Sequence, residues 1–123
     1  MVPTKTILVI DDDEAVRSSL EVVLLERGYQ VLTAENGHHG IELARVKTPC
    51  LVISDMMMPE QSGFVVLETL KRSRKPSKFI MITANGGEHH RNYADHLGAD
   101  AYFQKPFAIA DLLACVEELC PLN

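Results

Sequence analysis

The sequence predicts an α/β domain built on a doubly wound, five-stranded parallel sheet, and three observations predict it. Leu51-Val52-Ile53-Ser54 runs almost unbroken in apolar character into Asp55, between Pro49 and Pro59, which reads as a strand buried on both faces. Short β-rich runs then alternate with segments whose apolar residues recur at helical spacing, and that alternation yields parallel strands joined by right-handed crossovers. Finally, the runs end in carboxylates, a hydroxyl or an ammonium, at the strand ends where open α/β sheets bind ligands.

The elements follow in order. Lys5 to Ile10 is the first strand and ends in Asp11-Asp12-Asp13-Glu14. A helix with Val16, Leu20, Val23 and Leu24 on one face stops at Gly28. Asp13 and Glu14 suit its N-cap and first turn. Tyr29 to Ala34 is a second strand, and Asn36-Gly37 turns the chain into a helix through Ile41 and Ala44, closed by Thr48-Pro49. After the Asp55 strand, Gln61-Ser62-Gly63 opens a third helix carrying Phe64, Leu67 and Leu70. The basic run Lys71 to Lys75 ends it as a solvated, dipole-favoured terminus. Lys78 to Thr83 is the fourth strand. Gly86-Gly87 gives a permissive loop before a short helix that stops at Leu97-Gly98, with His89 and His90 in or near that loop. Asp100 to Gln104 is the fifth strand, ending at Lys105-Pro106, and the last helix carries Ile109, Leu112, Leu113, Val116 and Leu119. The expected strand order is the flavodoxin-like 2-1-3-4-5.

Composition narrows the function. A chain of 123 residues makes one domain, taken as residues 1–123, and 46% hydrophobic residues exclude a disordered one. A net charge of -5 excludes a broad nucleic-acid face, which is basic. There is no apolar signal region and no run near the ~20 apolar residues of a membrane span. These point to a cytoplasmic protein. Cys50, Cys115 and Cys120 are odd in number and lack C-x-x-C spacing, so reduced thiols are expected.

In the 2-1-3-4-5 order, the strands ending in Asp11-Asp12, Asp55, Thr83 and Lys105 are neighbours. Crowded carboxylates repel and call for a cation. Hard oxygen donors suit Mg²⁺. A carboxylate so placed, with Lys and Thr donors close by, is set to attack phosphorus and form an acyl phosphate. Taken singly, each residue has an ordinary reading: Asp11 to Asp13 as a solvated loop, Thr83 as a strand residue, Lys105 as a surface lysine. Met56, Met57 and Met58 read as packing residues. The joint placement carries the signal.

From end to end the chain resembles the receiver domains of bacterial two-component response regulators. The matching words are Ile7 to Asp13, Leu51 to Pro59, Ile80 to Ala84 and Gly98 to Phe107, with Ala34-Glu35-Asn36-Gly37. The resemblance implies that Asp55 accepts a phosphoryl group from the phosphohistidine of a sensor histidine kinase or a histidine phosphotransfer protein. It implies Mg²⁺ (or Mn²⁺) held by Asp12, Asp55 and the backbone carbonyl of Met57, with Asp11 acting through water. Thr83 and Lys105 would bind the phosphoryl oxygens, Tyr102 would be the switch aromatic, and Lys105-Pro106 would be cis. Such a protein is a phosphoacceptor that dephosphorylates slowly rather than a turnover enzyme, and Met57 and Asn85 flank the path of the attacking water. It signals to a protein partner or to an output domain that this sequence does not contain, and contacts neither nucleic acid nor membrane directly.

Other classes fit less well. A haloacid-dehalogenase-type phosphatase wants Asp-x-Asp-x-Thr/Val after the first strand, where this chain has Asp-Asp-Asp-Glu-Ala. A flavin-binding flavodoxin needs a phosphate cradle where Asp11 to Glu14 would repel an anion. A pseudo-receiver would not need the full set of Asp, Thr and Lys.

Overall fold

The computed structural model describes residues 5–84 and 87–122. Strands β1 (Thr6–Ile10), β2 (Gln30–Ala34), β3 (Leu51–Asp55), β4 (Lys78–Thr83) and β5 (Ala101–Gln104) alternate with helices α1 (Glu14–Glu26), α2 (Gly37–Lys47), α3 (Gly63–Lys71), α4 (Glu88–Leu97) and α5 (Ile109–Leu119). All strand pairs are parallel, in the order β2-β1-β3-β4-β5.

The period of two in each strand splits the core into two layers. Ile7, Val9, Leu51, Ile53, Ile80 and Ile82 face one side, with Leu20 and Leu24 of α1 and Leu112, Leu113 and Val116 of α5. Leu8, Ile10, Val52, Phe79 and Met81 face the other, with Ile41 and Ala44 of α2 and Val66, Leu67 and Leu70 of α3. Every residue of β3 is buried, which is why its sequence does not alternate.

Local chemistry sets the helix ends. The side chains of Asp13, Asn36 and Ser62 accept from Ala15, His39 and Val65 backbone N–H groups and so start α1, α2 and α3. Gly28 (φ 99°) and Gly98 (φ 103°) take the left-handed turn that follows α1 and α4. Lys71 is drawn out of the expected solvated basic end, because its Nζ bonds Asp100 Oδ2 at 3.0 Å and Ser77 O at 3.1 Å.

Three expectations change. Cys50 and Cys120 are joined in a disulfide instead of remaining reduced, because β3 and the end of α5 bring residues 70 apart in sequence to a Cα separation of 6.1 Å. Cys115 stays a free thiol. His89 and His90 lie in the first turn of α4, exposed, rather than in a loop. The glycine freedom invoked before α4 is not used at Gly87, whose φ of 164° is ordinary extended backbone with open space around it; Asn85 and Gly86 lie outside the described residues.

Candidate functional site

The carboxyl ends of β1, β3, β4 and β5 place Asp11, Asp55, Thr83 and Lys105 on one edge of the sheet. Parallel pairing sets their level: Ile10 is in register with Ser54, Asp55 with Ile82, and Thr83 with Gln104. Past the strand ends, the main chain continues the ladder. Met56 N–H donates to Ile82 O at 2.8 Å and Lys105 N–H to Thr83 O at 2.7 Å.

Asp11, Asp12 and Asp55 each bring a carboxylate oxygen within 4.8 Å of the others. Asp11 is fully buried, Asp55 is 6% exposed, and Asp12 is open to solvent. The Lys105 ammonium lies 3.2 Å from Asp11 Oδ2 and 3.6 Å from Asp55 Oδ1. Its nearest partner is therefore Asp11. The other Asp11 oxygen accepts the Asp13 N–H at 2.9 Å, and Arg17 Nη1 donates to the Asp11 carbonyl oxygen at 2.6 Å. These bonds hold the acidic loop in place.

Electrostatics follows from crowding without solvent. Burial, then the Asp11 charge, pushes the Asp55 carboxyl up to about 6, against the opposing pull of Lys105. Burial also raises Asp11. For Lys105, burial favours the neutral amine, but the Asp11 and Asp55 charges outweigh it and the ammonium is held more firmly than usual. Three carboxylates against one ammonium leave an excess of negative charge, and their hard oxygens are the donor set that suits a small divalent cation.

Close approach of α3 shapes the floor. A Cβ on Gly63 would sit 2.3 Å from the Asp55 carbonyl oxygen and 2.9 Å from the Met56 Cα, so only glycine lets α3 start directly under the phosphoacceptor candidate. The Gly63 N–H donates to Met56 O at 2.8 Å. Sequence reading missed both this residue and Arg17; nothing but an ordinary helix start and an ordinary helical arginine marked them. Met56 and Met58 are buried in the core, while Met57 is 55% exposed beside the carboxylates. Lys105-Pro106 is cis. Thr83 is fully buried. Tyr102 is half-buried against the α2–α3 layer of the core, and its hydroxyl, buried too, meets no partner among the described residues.

The family model of the response regulator receiver domain matches residues 7–117, which includes all of β2 to β5, β1 from its second residue, and the whole carboxylate cluster. The chain belongs to the response regulator receiver family. This receiver is 33% identical over 115 residues to the alkaline phosphatase synthesis transcriptional regulatory protein PhoP of Bacillus subtilis, covering 94% of the chain and 48% of that protein. It is 36% identical to the transcriptional regulatory protein CusR of Escherichia coli K12, covering 92% of the chain and 50% of that protein. The chain thus spans about half the length of these curated relatives. Among solved structures, it is similar to a CheY-like receiver domain protein of Methanospirillum hungatei (TM-score 0.90, 30% identity, 98% of this chain and 97% of that one). The same fold appears in the Vibrio cholerae chemotaxis protein CheY4 (TM-score 0.87, 24% identity, 95% and 99% covered). Membership in this family sets aside the phosphatase and flavodoxin readings. Among the described residues no helix is long and apolar enough to cross a membrane.

Proposed function

We propose that this receiver takes a phosphoryl group onto Asp55 from the phosphohistidine of a sensor histidine kinase or a histidine phosphotransfer protein, and that the acyl phosphate shifts its conformation to control a partner. The supporting observation is the Lys105 ammonium poised between Asp11 and Asp55 inside a cluster of three carboxylates. The Asp55 carboxylate oxygen attacks phosphorus as the phosphorus–nitrogen bond to the imidazole breaks. Lys105 turns from its carboxylate partners to the phosphoryl oxygens, and the Thr83 hydroxyl donates to another of them. Asp12, Asp55 and the Met57 carbonyl would hold Mg²⁺, or Mn²⁺, with Asp11 acting through water. When bound, the metal supplies neutralising charge to the carboxylates and the phosphoryl oxygens.

Such a protein undergoes one transfer and a slow self-dephosphorylation, and is not a turnover enzyme. Negative charge beside Thr83 draws its hydroxyl inward and frees room in which Tyr102 changes position. The surface of α4, β5 and α5 then differs between the two states. A downstream protein or an attached output domain reads that surface, and the domain itself contacts neither nucleic acid nor membrane. A soluble kinase domain as donor implies action in the cytoplasm.

The test is labelling with acetyl phosphate and Mg²⁺, followed by intact mass. Wild type gains one phosphoryl group and Asp55→Asn gains none. A variant labelled at the wild-type level would overturn the assignment of Asp55.

A further inference from the structure

At the edge of the sheet opposite the carboxylates, Cys50 leads into β3 and Cys120 caps α5, joined as a disulfide. The two sulfurs are not equivalent. Cys120 is fully buried, whereas Cys50 keeps part of its surface in solvent. With Cys120 wholly covered, the side from which a thiol can approach the bridge is that of Cys50, and access decides which disulfide sulfur is attacked. The third thiol, Cys115 on the same helix, is raised by burial and then by the Glu118 and Asp100 charges, which leaves it protonated and a poor competitor.

The end of α5 has other holds. Tyr29 Oη donates to the Cys120 carbonyl oxygen at 2.8 Å, Arg27 pairs with Glu117, and Val116 and Cys120 pack in the same core layer as Leu24. Opening the bridge therefore loosens this helix end without removing what seats it. Five residues of extended chain, at about 3.3 Å each, separate Cys50 from Asp55 by roughly 16 Å.

We propose that Cys50–Cys120 is a thiol-exchange site for a low-molecular-weight thiol of the glutathione class, and that its state sets how firmly the end of α5 is held to β3. A thiolate attacks Cys50 Sγ; the bridge breaks, and Cys120 leaves as a thiolate that takes up a proton. A second thiolate attacks the small-molecule sulfur of the mixed disulfide, releasing the Cys50 thiolate, which is protonated in turn, and the oxidised dimer of the small thiol. Two electrons thus pass from two small thiols to the protein. The small-molecule disulfide drives the reverse reaction and is the oxidant. This gives α5 an input that is independent of the phosphoryl group on Asp55.

The experiment equilibrates the full chain with mixtures of glutathione and glutathione disulfide. Alkylation and intact mass then count free thiols, and hydrogen exchange follows the α5 amides. The expected result is reversible passage between one alkylatable thiol, Cys115, and three. The amides of Val116 to Cys120 should exchange about tenfold faster when reduced, while Mg²⁺-dependent labelling by acetyl phosphate is unchanged. Cys50→Ser should exchange like the reduced protein and ignore glutathione disulfide, and Cys115→Ser should respond like wild type. Three reactive thiols at every ratio, one thiol even in excess glutathione, or α5 exchange indifferent to the bridge would each overturn the proposal. The wild-type measurement decides this by itself, whether or not a serine variant folds well.

Discussion

Replacing Asp55 with asparagine should make the metal-free protein more stable, and only above a certain pH. The carboxyl is held at about 6 in the fold against 3.8 as its ordinary value. At ~1.4 kcal/mol per tenfold change in proton affinity, that difference destabilises the ionised fold by about 3 kcal/mol. The sign follows from the direction. A raised carboxyl contributes stability that is fully present below pH 3.8 and is lost as pH rises through about 6. Asparagine keeps nearly the same shape and never ionises. Asp55→Asn should therefore match wild type near pH 4 and exceed it at pH 8 by up to ~3 kcal/mol, or about 10 °C in melting temperature for a domain of this size. Lys105 at 3.6 Å already softens the penalty, so its loss as a partner is contained in that figure. The assay is urea or thermal unfolding of both proteins in EDTA from pH 4 to 8. Equal stability at pH 8, or an advantage for asparagine that grows toward low pH, would refute the claim that desolvation and Asp11 dominate at Asp55.

Mg²⁺ should raise the melting temperature of wild type by binding the folded state alone, and Asp12→Ala should blunt that response sharply; an unchanged titration would place the metal elsewhere. Gly63→Ala should cost about 1–3 kcal/mol by urea unfolding, because the new Cβ meets Asp55 and Met56 backbone. Gly40→Ala should be destabilising by a similar amount, because its Cβ would lie 2.3 Å from Ile10 Cδ1 and 2.7 Å from Cγ1, and Ile10 is a fully buried β-branched side chain with no free space to turn into. Lys105→Ala should still accept some phosphate but fail to transmit it, and arginine should not restore transmission; normal phosphorylation-dependent partner binding by the alanine variant would count against this role. Fluorotyrosine at position 102 should shift its ¹⁹F resonance when beryllofluoride binds in Mg²⁺, and a resonance that stays put under saturation would make the ring a packing group only.

Much of this protein was decided locally and is legible in the residues. Unbroken apolar character in Leu51 to Ile53 dictates a central strand, because a strand covered on both faces has no polar side to show. Asp13, Asn36 and Ser62 start helices by capping their own backbones, an interaction that spans two or three residues. The β/α alternation calls for a doubly wound parallel sheet, of which 2-1-3-4-5 is one common order, and once that order holds, Asp11, Asp55, Thr83 and Lys105 must share an edge. Other features depend on distances between residues far apart in the chain. That Lys105 sits nearer Asp11 than Asp55, that Gly63 must lack a Cβ, and that Lys71 turns back to Asp100 all depend on how closely packed elements approach, to a few tenths of an ångström. The cysteines make the same point. Their number and spacing suggested free thiols, yet Cys50 and Cys120 are joined because the start of β3 and the end of α5 meet at one edge of the sheet, 70 residues apart in sequence. Only the packed fold brings those two sulfurs together.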